Sequence, residues 1–240
     1  MADRISTENT IKLLTEKYGE DRTNKLISYL DAILEKNEHI NLTAVRDRDE
    51  AVQKHIADSL SCFDVPEYKN AKTVLDMGTG GGFPGVPLAI VSDDKKFTLV
   101  DALNKRLRVI DELTAGIGVT NVETVHARAE EIGRGKNTRE KFDLVVSRAV
   151  ASLDVLVEWC LPLVKVGGYM ISYKGENVSR ETLEAKKAIS LMGGKIERVV
   201  EIEDATDEIS GHVLVIIKKV KNTPPKYPRQ PGQDKKKPLR

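Results

Sequence analysis

The chain is poor in metal ligands and nucleophiles: 240 residues hold two cysteines, Cys62 and Cys160, and four histidines, His39, His55, His126 and His212. The cysteines stand far apart, in apolar-periodic contexts and without metal-ligand spacing. They are expected to be reduced and buried, with no disulfide. The histidines are scattered, so no metal site is expected. No apolar run approaches the roughly 20 residues needed to cross a bilayer. The opening MADRISTENT lacks the basic-then-apolar pattern of a signal peptide. A cytoplasmic location is the expectation.

What is present centres on one stretch, Asp76-Met77-Gly78-Thr79-Gly80-Gly81-Gly82-Phe83-Pro84-Gly85, of which half is glycine. It follows the short apolar run Thr73-Val74-Leu75. A glycine cluster after a strand allows a sharp turn and lets a ligand approach the backbone. At the carboxyl end of a parallel strand this is where open α/β sheets bind nucleotide-like ligands. Two templates fit. Gly80-x-Gly82-x-x-Gly85 matches the dinucleotide fingerprint, and Asp76-x-Gly78-x-Gly80-x-Gly82 matches the acidic-glycine loop of S-adenosylmethionine-dependent methyltransferases. No Gly-Lys-Ser/Thr follows, so the loop is not a P-loop. Asp76 would repel a pyrophosphate but not a sulfonium or an ammonium. Pro84 and Pro87 interrupt the helix start whose N–H groups a pyrophosphate would need. These features favour the methyl donor. Asp101, at the end of the next strand, suits ribose hydroxyls in either fold.

The rest of the chain divides in three. Residues 1–66 read as a helical lobe: one helix capped by Ser6 or Thr7 and ended by Gly19, a second over 21–37, and a third capped by Asp47 or Asp49. Residues 67–220 alternate strands (73–76, 97–101, 122–126, 142–147, 169–173) with helices (84–91, 105–117, 153–164, 179–192). They close on two strand-like runs, 195–203 and 212–220. The expected fold class is α/β: a mostly parallel seven-stranded class I methyltransferase sheet with its last strand antiparallel. Residues 221–240 are rich in Pro and Lys and read as a mobile or extended tail. The basic residues from Lys218 to Arg240 face one acid, Asp234, although the whole chain carries only +1. A basic end on an acidic body suits a polyanionic partner; it equally suits a solvated end that aids solubility.

Further site residues are expected at the other strand ends: Ala129 and Glu130 beside an adenine ring, Arg148 after the fourth strand, and Lys174 with Gly175 after the fifth. Phe83 could pack on the ligand or under the loop. The chemistry is narrowed by what is missing. An Asn/Asp-Pro-Pro-aromatic segment, usual in amino-nitrogen methylation, is replaced by Ser147-Arg148-Ala149-Val150. Carbon-5 pyrimidine methylation needs a cysteine at a strand end, and both cysteines fall on predicted helices. An acceptor already nucleophilic remains, such as guanine N7, which needs no proton removed.

Several segments in order, DMGTGGGFPGVPLAI, LVDALNKRLRVIDEL, ARAEE and VVSRAVASLDVLVEWCLPLVK, with NLTAVRDRDE and HIADSL upstream, resemble the bacterial ribosomal RNA small-subunit methyltransferase G family. The ending YPRQPGQDKKKPL is similar to that of Gram-positive members. The resemblance implies methylation of guanine N7 in 16S ribosomal RNA, or in the small ribosomal subunit, with S-adenosylmethionine. It places the cofactor at Gly78, Phe83, Ala129, Glu130 and Arg148; loop chemistry adds Asp76, Gly80 and Asp101. The paired Gly81-Gly82 departs from relatives that carry other small residues or proline there. Lys174 and the basic tail are expected to hold RNA backbone, and Asn41, Arg46, His55 and Asp58 to shape its entrance. A nicotinamide-dependent oxidoreductase and a non-catalytic RNA-binding assembly protein are the alternatives.

Overall fold

The computed structural model describes residues 7–202 and 209–240. The Ser6 cap and the Glu203 end of the sixth predicted strand lie outside them. Helix α1 (Thr7–Tyr18) and helix α2 (Glu20–Lys36) meet at Gly19, whose φ of 88° suits glycine. Helix α2 buries Leu26, Tyr29, Leu30 and Ile33, one apolar stripe at helical spacing. The Asp47 side chain accepts from Glu50 N–H and caps α3 (Arg48–Ala51). The chain then continues through a π-helical segment, Val52–Ala57, into α4 (Asp58–Leu60) and on to α5 (Pro66–Lys69). A π segment widens the helix, as often happens at functional sites, and this one carries His55.

Seven strands follow: β1 (Thr73–Met77), β2 (Lys96–Asp101), β3 (Val122–His126), β4 (Phe142–Arg148), β5 (Val164–Lys174), β6 (Gly194–Glu201) and β7 (Val213–Lys219). Their order is β3-β2-β1-β4-β5-β7-β6, with β7 antiparallel to both its neighbours. Helices α6 (Gly85–Ile90), α7 (Asn104–Gly116), α8 (Ala129–Ile132), α9 (Leu153–Cys160) and α10 (Val178–Leu191) alternate with the strands. The expected fold is therefore present. Alternation along the strands divides the core in two. Val74, Leu99, Leu144, Val146 and Ile171 pack toward the helical lobe. Leu75, Val100, Val145, Met170 and Val215 pack toward α9 and α10. Because β2 and β4 flank β1 on opposite sides, the strand order reverses beside the glycine loop. That is the switch point where such sheets open a crevice.

Two boundaries differ from expectation. Helix α9 stops at Cys160, and Val164 already belongs to β5. Pro162 lacks an N–H and cannot donate the bond that would carry the helical ladder onward, so the helix ends just before it. The tail is seated rather than mobile. Tyr227 is buried in the second core. Arg139 donates to the carbonyls of Tyr227 and Thr223 at 2.8 Å each. Arg229 pairs with the buried Glu158 at 2.6 Å, and Arg240 with Asp154 at 2.8 Å. A short helix, α11 (Gln233–Lys236), completes the segment. Composition alone weighs the solvated Lys and Pro residues and carries no trace of these distant partners.

Candidate active site

The glycine loop is held from below, from the side and from above. Below it, the fully buried Asp76 accepts from Thr79 Oγ1 at 2.7 Å and from Gly85 N–H at 2.9 Å. Burial pushes the Asp76 carboxyl up to about 6, against the lowering effect of those two bonds. A Cβ on Gly85 would lie 2.8 Å from Asp76 Oδ2. At the side, Gly78 and Thr79 N–H groups donate to Val100 C=O at 2.9 and 3.0 Å. Above, the Tyr29 hydroxyl of the lobe donates to Gly81 C=O at 2.9 Å. Asp76 therefore braces the loop, a correction to its expected role as a charge facing the ligand: it is sealed under the turn and its Oδ2 is engaged.

Asp101, at the end of β2, accepts from Gly80 N–H at 3.0 Å and from Leu103 N–H at 2.8 Å. Gly78 has a φ of 73°, and a Cβ there would meet Val150 at 2.6 Å, so only glycine fits between loop and opposite wall. These elements open onto a cavity of about 440 Å³ at the strand ends. Four expected residues line it: Gly78, Asp101, Ala129 and Glu130. Trp159 of α9 contributes an aromatic wall, and Gly232 and Asp234 of the tail line it as well. A mixed apolar and polar cavity of this size is ordinary for a small-molecule site.

The other three expected residues stand elsewhere. Gly80 acts through Asp101. Phe83 is buried, with the His55 ring stacked on it at 4.5 Å between centroids and 12° between planes. The Arg148 guanidinium lies over the same ring, 5.8 Å from its centroid. Arg148 lines a second cavity of about 550 Å³ with Asp58, Tyr173, Lys174, Glu181 and His212. Ala149 and Val150 border both cavities and form their common wall. Ala149 has a φ of 56°, a conformation that non-glycine residues seldom hold away from functional sites.

In the second cavity every charge has a partner. Arg148 Nη1 donates to Asp58 Oδ2 at 2.7 Å and to Lys54 C=O at 2.6 Å. Its Nη2 lies 3.2 Å from His55 Nδ1. A guanidinium can only donate, so His55 Nδ1 accepts and Nε2 carries the hydrogen bonded to Thr43 Oγ1 at 2.6 Å. Burial, and then the Arg148 charge, lower the His55 pKa to about 4, so the ring is neutral near pH 7. Burial alone would raise Asp58; hydrogen bonds and charge from His212 and Arg148 outweigh it and hold its carboxyl low. Lys174 donates to Glu181 at 2.7 Å and to Ala151 C=O at 2.8 Å. Its side chain is only 9% exposed. Lys174 is thus a brace for the cavity wall, which corrects its expected role as a free cation for RNA phosphate. Cys62 and Cys160 are buried free thiols, and burial pushes the Cys62 thiol up to about 12. Sequence reasoning missed Tyr29, Thr43, Gly232 and Asp234. The last three lie in segments that carry the family resemblance, but their functional neighbours lie far along the chain and no local pattern gives their roles.

The chain is similar to known proteins in sequence and in fold. A family model described as rRNA small subunit methyltransferase G matches residues 22–210. A Clostridium novyi protein named "Ribosomal RNA small subunit methyltransferase G" is 47% identical over 223 residues, covering 93% of this chain and 91% of that protein. A Clostridium perfringens protein of the same name is 45% identical over 224 residues, covering 93% of each. Among solved structures, cofactor-bound Rv0187 from MTB superposes with a TM-score of 0.60 at 17% identity, over 88% of this chain and 95% of that one. That likeness concerns the fold alone. The chain belongs to the rRNA small subunit methyltransferase G family.

Proposed function

We propose that the chain transfers a methyl group from S-adenosylmethionine to N7 of a guanine in 16S ribosomal RNA, as bare RNA or within the small ribosomal subunit. Family membership sets aside the nicotinamide alternative. The first cavity suits the cofactor. Asp101 offers a carboxylate at the β2 end, Gly78 allows close backbone approach, and Ala129 and Trp159 give apolar walls beside the Glu130 carboxylate. When bound there, S-adenosylmethionine supplies an electrophilic methyl group on a sulfonium. Gly80, Phe83 and Arg148 would act one layer behind, holding Asp101 and the wall of the neighbouring cavity.

The second cavity would take the acceptor base. The observation that carries this reading is its place beside the first cavity, with Ala149 and Val150 as their common wall and with its carboxylates already paired. Asp58 is shared between Arg148 and His212, and Glu181 is taken up by Lys174 and Leu153 N–H. The neutral His55 behind it has both ring nitrogens engaged. Guanine N7 has a free lone pair and loses no proton on methylation, so these residues need only orient it. In-line positioning at about 3–3.5 Å accounts for a large part of such a rate enhancement. The base would be flipped or looped out of its strand to enter.

The test is chemical cleavage at N7-methylguanine in small-subunit ribosomal RNA from cells with and without the protein. Loss of one cleavage position in the deletion strain is expected. An unchanged pattern would rule out this activity and leave the non-catalytic assembly reading.

A further inference from the structure

The cofactor cavity has a wall that the glycine loop and strand ends do not supply. Gly232 and Asp234, from the tail, line it beside Ala129 and Glu130. Gly232 N–H donates to Glu130 Oε1 at 3.3 Å, which ties the tail to the start of α8. Tyr227 and the Arg229–Glu158 pair anchor the segment just before it. Asp234 is 1% exposed, and neither of its carboxylate oxygens has a hydrogen-bond partner among the described residues. A buried carboxylate without donors is costly. A ligand that brings a donor to it removes that cost.

We propose that Asp234 is a specificity residue of the cofactor site, accepting a hydrogen bond from the exocyclic amino group of adenine, with residues 223–240 closing the cavity over that ring. The inference rests on the cofactor reading above and not on the identity of the methyl acceptor. The placement selects the donor. Asp101 and Gly78 stand at the β2 and β1 ends, on the ribose and methionine side of such a site. The tail covers the far side, beside α8 at the end of β3. A purine ring lying there presents one donor group at its edge, the amino group. Hydrogen bonds to charged groups are the stronger kind, so the discrimination should be large.

The experiment is calorimetric binding of S-adenosylhomocysteine and of its analogue with unsubstituted purine in place of adenine, to wild type, Asp234→Ala and Asp234→Asn. Wild type is expected to prefer the adenine compound by roughly 10-fold or more. D234A should bind both alike, and D234N, which keeps the shape, should fall between. Without ligand, D234A should melt close to the wild-type temperature, because the carboxylate it removes accepts no hydrogen bond in the fold. Its melting temperature should rise less on adding S-adenosylhomocysteine. An undiminished preference in D234A would overturn the role of Asp234 while leaving the cofactor reading intact. Failure of wild type to bind either compound would instead sink the cofactor reading.

Discussion

Asp76 and His55 titrate in opposite senses, and both sit beneath the site. The folded pKa of Asp76, about 6, lies above its ordinary value of 3.8. Its contribution to stability is full in acid and is lost as pH rises through that window. His55 has a folded pKa of about 4, below its ordinary 6.5. Its contribution is full above pH 6.5 and is lost as pH falls toward 4. The two slopes oppose each other, so wild-type stability should vary little between pH 4 and 6 on their account. Asp76→Asn keeps an acceptor for Thr79 and Gly85 but cannot ionise. Relative to wild type, it should gain up to about 3 kcal/mol as pH goes from 4 to 6. Urea unfolding at several pH values measures this; a difference independent of pH would refute the raised carboxyl.

Among elements, the contact between α2 and the glycine loop has the clearest consequence. Tyr29 is fully buried, and its hydroxyl serves one carbonyl, that of Gly81. Tyr29→Phe leaves the ring packing and removes that donor. It should cost about 1 kcal/mol of stability and weaken S-adenosylhomocysteine binding, read by thermal unfolding and calorimetry. Unchanged affinity would show that the lobe does not hold the loop in its binding form. The elements themselves were largely legible: the strands by apolar runs between turn residues, α2 by its stripe, the loop by its glycines. Partnerships between elements were not. Arg148 reads as a cofactor residue at a strand end, yet its partners, Lys54, His55 and Asp58, come from the helical lobe. Periodicity encodes which face a residue takes and says nothing about which distant charge it meets.

At the scale of the whole molecule, the tail contributes to both stability and the site. Arg229 is bonded through all three of its side-chain nitrogens, two of them to the buried Glu158. Arg229→Ala leaves that carboxylate without its cation and should destabilise the fold by about 3 kcal/mol. Denaturant unfolding checks it; a cost near zero would mean that the tail docks without this pair. The expected electrostatic hold on RNA is correspondingly smaller than the count of basic residues suggests, because Arg229 and Arg240 are neutralised within the molecule. Lys236 and Lys237 are exposed and remain available to a polyanion.

The seating of residues 232 and 234 against α8 also sets an order of assembly. Protein chains leave the ribosome from the amino end, and domains tend to form as they emerge. The glycine loop and Asp101 are made early, but the wall that faces them is made after all seven strands. A nascent chain that has completed β5 holds only one side of the cavity. The enclosed binding cavity therefore forms only once residue 234 has been synthesised and has docked.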